Sequence, residues 1–93
     1  SFIMAKRRTL KKNIEIICSE LFAECIAVSL YDATPSKENT EALLHSIIKL
    51  ESNYICRISH VEPGMKANVY FRDLIEKFTN EVNDIVDQIN NMH

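Results

Sequence analysis

The side chains in this sequence that could do chemistry are three histidines, three cysteines, one centrally placed glutamate and a run of cations near the start. His45, His60 and His93 lie far apart and no two have the spacing of helical metal ligands, so no metal site is expected within one chain. Cys18 and Cys25, seven residues apart, fall on one apolar helical stripe, where thiols behave as small hydrophobes. An activated thiol would need exposure and a cationic neighbour. With Cys56 they make an odd number without paired spacing, which reads as reduced, cytosolic thiols rather than a disulfide framework.

Glu51 falls at the centre of an apolar arc, one helical turn from Ile47 and Ile55 and two from Leu44 and Ile58. A carboxylate buried there must be paired or protonated, and such an acid could serve as a general base or bind a cation. Both roles need convergent polar groups, and the sequence displays none. The simpler reading is an edge position, or an ion pair with a neighbouring helix. No glycine-rich phosphate loop, nucleophile elbow or paired-carboxylate motif occurs, so neither an enzyme nor a cofactor is expected.

The cations are Lys6, Arg7, Arg8, Lys11 and Lys12. These are five of the chain's 11 basic residues, leaving six against all 13 acidic residues in the remainder, although the net charge is only −2. They sit at the start of a helix, where the dipole disfavours cations, which suggests an external partner such as nucleic-acid phosphate or an acidic protein surface. A solvated arm that aids solubility is the plainer alternative, since no aromatics are interleaved with the charges. Met4 followed by Ala5 and Lys6 reads as a translation start. Ser1, Phe2 and Ile3 then read as a cloning remnant or the tail of an earlier start, and residues 1–7 as a basic arm that is either disordered or derived from cloning.

The elements that must position these groups are helices. With 93 residues, one glycine and two prolines, the chain has room for one domain, residues 1–93, and for few turns. Over residues 8–31, Leu10, Ile14, Ile17, Cys18, Leu21, Phe22, Cys25 and Val28 recur at spacings of three and four and fill a face roughly 140° wide. Thr34 and Pro35 are suited to cap and open the next helix, over residues 35–58, with Leu43, Leu44, Ile47, Ile48, Leu50, Tyr54, Ile55 and Ile58 on its apolar side. Pro63 and Gly64 break the chain again. Residues 65–91 then carry a seam of Phe71, Ile75, Phe78, Val82, Ile85, Ile89 and Met92. A β-hairpin about the Pro63–Gly64 turn, over residues 54–71, is the competing reading, but it would abandon the helical stripe. Fold class is therefore all-α, a three-helix antiparallel bundle.

Residues 14–31 are apolar and follow basic residues, yet Glu15, Glu20 and Glu24 interrupt them, so neither an export signal nor a membrane span is expected. Residues 4–12 (MAKRRTLKK), with residues 17–25 (ICSELFAEC), resemble the opening of a group of short bacterial proteins of uncharacterised function. The resemblance implies a compact protein and carries over no activity and no functional residue.

The first helix has a second apolar face, made by Ile16, Ala23, Ile26, Ala27 and Leu30, opposite its main stripe. Unless helix one lies centrally in the monomer, this face needs cover from outside, and a two-fold homodimer is the simplest cover. The sequence therefore predicts a cytoplasmic helical interaction module that forms a homodimer or binds a protein partner. A small nucleic-acid-associated protein using the basic arm is the alternative.

Overall fold

A computed structural model describes the backbone of residues 2–31 and 36–92, with side chains from Lys6 onward. It contains three helices and, among the described residues, no strand: α1 (Phe2–Tyr31), α2 (Lys37–Ser59) and α3 (Ala67–Asn90). The connections are short, so consecutive helices run antiparallel. α1 and α3 are therefore parallel, in keeping with Arg7 of α1 lying over the ring of Phe71 near the start of α3. α1 packs most extensively on α2.

The core follows the predicted stripes. Ile14, Cys18, Leu21 and Cys25 of α1 meet Leu43, Ile47, Leu50, Tyr54 and Ile58 of α2 and Phe71, Leu74, Phe78, Ile85 and Ile89 of α3. Thr40 joins them at the top of α2, its hydroxyl donating to the Ser36 carbonyl at 3.0 Å.

Several expectations are corrected. The segment read as a disordered arm is helical from Phe2, since Lys and Arg are good helix formers and Arg7 packs on α3. α2 starts at Lys37, and its N-cap is Ser36, whose hydroxyl accepts from Asn39 N at 3.0 Å. Thr34 and Pro35, expected to open this helix, lie outside the described residues, as does His93. The hairpin does not form: residues 54–59 and 67–71 are helical on either side of a turn in which Gly64 takes φ 83°, a backbone that favours glycine. Within that turn the Tyr70 hydroxyl donates to the carbonyls of Arg57 (3.0 Å) and His60 (3.2 Å), tying the end of α2 to the start of α3.

Ile17, Ile48 and Ile75, all assigned to the core, are exposed. Each has an apolar neighbour one position away, Cys18, Ile47 and Leu74, that takes the buried place. Glu51 is half-buried along the groove between α1 and α2, the edge position of the simpler reading and not a fully buried acid.

Candidate interaction surface

The outer side of α1 is uncovered. Ile16 is 47 % exposed, Ile26 36 % and Leu30 80 %, with Ala23 exposed and Ala27 half-buried between them. This face was legible in the sequence. Its continuation onto α2 was not: Ile48, 53 % exposed, stands across a shallow groove from Ala23 and Ile26. Ser19 and Phe22 line the same groove on the α1 side, and Glu51 closes it on the α2 side. The small side chains of Ser19 and Ala23 leave room for another helix to approach.

The ends of this surface carry charge. Arg8 and Lys12 precede Ile16 by two turns and one turn on the same stripe, and both are exposed. On α2, Glu38, Glu41, His45, Ile48 and Ser52 follow one another at spacings of three and four, all exposed. Glu38 and Glu41 lie at the opposite end of the bundle from Arg8 and Lys12. Glu41 also approaches Lys37 at 3.9 Å, an exposed pair of little energetic weight. α1 has no acidic residue in its first turn and no basic residue in its last.

The five cations differ in exposure. Lys6, Arg8 and Lys12 are exposed, whereas Arg7 and Lys11 are half-buried. The Arg7 guanidinium lies 6.0 Å from the Phe71 ring centroid, and its Nε is buried without a hydrogen-bond partner among the described residues.

Among the described residues the thiols and histidines are dispersed. Burial, and secondarily the Glu51 carboxylate, pushes the Cys18 thiol up to about 11, and burial also raises that of Cys25. Both are held protonated at neutral pH. Cys56 is exposed with His60 one turn on, Sγ to Nδ1 3.8 Å. That Nδ1 lies 2.9 Å from the Cys56 carbonyl, which can only accept, so the nitrogen nearest the thiol carries hydrogen and is not a base toward it. His45 is exposed on the outer stripe of α2, one turn from Glu41. Among the described residues no three His, Cys, Asp or Glu side chains gather as metal ligands, and no helix is long and apolar enough to cross a membrane.

One polar arrangement was missed by sequence reasoning. Tyr54, in the α2 core stripe, donates its hydroxyl hydrogen to Glu81 of α3, and the Arg57 guanidinium covers its ring at 4.9 Å. Burial, followed by the bond to Glu81, pushes the Tyr54 phenol up to about 12. The available signal was a tyrosine on an apolar stripe, whose hydroxyl must find a partner.

The fold and this surface define an all-α three-helix bundle with an uncovered apolar face on α1. Comparison with protein-family models, with curated proteins and with solved structures finds no match to the chain.

Proposed function

We propose that this chain is a non-catalytic helical interaction module of the reducing cytoplasm that works by associating with itself through the outer face of α1. The observation that carries this reading is the row of Ile16, Ile26 and Leu30, exposed together beside the small Ser19 and Ala23. Burying each of the large aliphatic side chains is worth about 1.5 to 3 kcal/mol, enough for the row to offset much of the cost of association. Three free thiols, two of them buried, fit a reducing compartment. Sedimentation equilibrium over a concentration series tests the reading: a homodimer is expected, and Ala23→Glu should shift it to a monomer with an unchanged helical spectrum. A wild-type monomer at the highest concentration attainable overturns it.

A second reading, association with nucleic acid, draws on Lys6, Arg8 and Lys12, which are exposed at the end of α1 that has no acidic residue in its first turn. Binding to duplex DNA or RNA that weakens steeply with added salt supports it, because phosphate contacts release counterions. Binding absent at low ionic strength overturns it.

A further inference from the structure

We infer that the occupant of the α1/α2 groove is a second copy of this chain laid antiparallel across a two-fold axis, with Arg8 and Lys12 of each copy against Glu38 and Glu41 of the other. The inference rests on the self-association reading and adds its geometry.

The face has three zones along its length: cations at one end on α1, apolar and small residues in the middle, and carboxylates at the other end on α2. A two-fold interface brings a surface against itself. A parallel arrangement would set cations on cations and carboxylates on carboxylates. The antiparallel arrangement sets each charged end on its opposite and keeps the apolar zones in register.

The register agrees with the side chains present. Arg8 to Leu30 spans about 33 Å of helix at the usual rise, and its midpoint is Ser19. The axis therefore falls at Ser19 to Ala23, where the least bulky residues of the stripe let two helices approach closely. Ile48 of each copy flanks the crossing, next to Ile26 and Phe22.

A body of 49 × 19 × 16 Å offers a long face on the scale of the about 800 Å² per partner that stable dimers bury.

Two charge-reversed variants of the full chain test this, Arg8→Glu with Lys12→Glu in one and Glu38→Lys with Glu41→Lys in the other. All four positions are exposed, so both variants should keep the wild-type helical spectrum, the second melting somewhat lower because Glu38 lies in the first turn of α2, where an acid favours the helix dipole. Each alone should dimerise about tenfold or more weakly than wild type, because like charges meet at both ends. Mixed in equal amounts they should form a heterodimer, because opposite charges meet again at both ends. As a measurement free of substitutions, carbodiimide cross-linking of mixed unlabelled and nitrogen-15-labelled wild type should yield Lys12–Glu38 or Lys12–Glu41 links of mixed isotope content. A wild-type dimer whose two charge-reversed forms dimerise undiminished, or which gives no mixed-isotope link at these positions, overturns the antiparallel geometry and leaves self-association standing. A wild-type monomer overturns both.

Discussion

Tyr54 of α2 donates its hydroxyl hydrogen to the carboxylate of Glu81 on α3, while its ring lies edge-on to Phe78 with centroids 5.1 Å apart. One side chain thus closes the α2/α3 seam with an apolar body and a polar tip. Tyr54→Phe keeps the ring and removes the bond. Bonds to charged acceptors are worth about 1.5 to 3 kcal/mol when buried, and because Glu81 is exposed a loss of about 1 kcal/mol is expected in urea unfolding. Glu81→Gln retains an acceptor and should lose less. An unchanged midpoint for Tyr54→Phe would show that the bond contributes nothing net.

Stability should decline in alkali in a defined window. The Cys18 thiol rises from 9.0 to about 11 on folding and the Tyr54 phenol from 10.0 to about 12. Both folded values lie above the unfolded ones, so the unfolded chain releases these protons first. Their contribution is complete below pH 9 and is lost as pH rises through 11 and 12. Thermal melts from pH 8 upward should show this fall. In Cys18→Ala the early part of it should be smaller, with Cys25, whose thiol burial also raises, supplying the rest, and an undiminished decline there would assign it to other groups.

Glu51→Leu should leave stability unchanged or raise it. The carboxylate is half-buried beside Cys18 and Ile47 with no hydrogen-bond partner among the described residues. Removing it deprives no neighbour of a bond, and an apolar side chain at this half-buried position forfeits no solvation. Removing the charge also takes away one of the two causes that raise the Cys18 thiol. A loss of cooperative melting would instead mark Glu51 as an anchor of the fold.

The three helices and most core positions were legible because spacings of three and four recur over each segment. The choice between adjacent apolar residues was not. Leu74 and Ile75 differ by about 100° around α3, and both fit an apolar arc until α1 and α2 fix its centre. The same holds for Ile47 and Ile48. The outer face of α1 could be read from Ile16, Ala23, Ile26, Ala27 and Leu30 because it belongs to one helix. Its extension to Ile48, the half-burial of Glu51 and the Tyr54–Glu81 bond all depend on how two helices lie together. The last joins residues 27 positions apart, with no local pattern to announce it.

The Tyr70 hydroxyl, by holding the last carbonyls of α2, gives the second and third helices a clasp that spans only thirteen residues. Short loops close at little entropic cost, so this pair can assemble early once both segments exist. On the ribosome they follow α1. α1 emerges first, with both of its apolar stripes bare, and waits for the rest of its own chain. During synthesis, then, the segment that bears the uncovered face of the finished protein is also the one longest exposed to its neighbours.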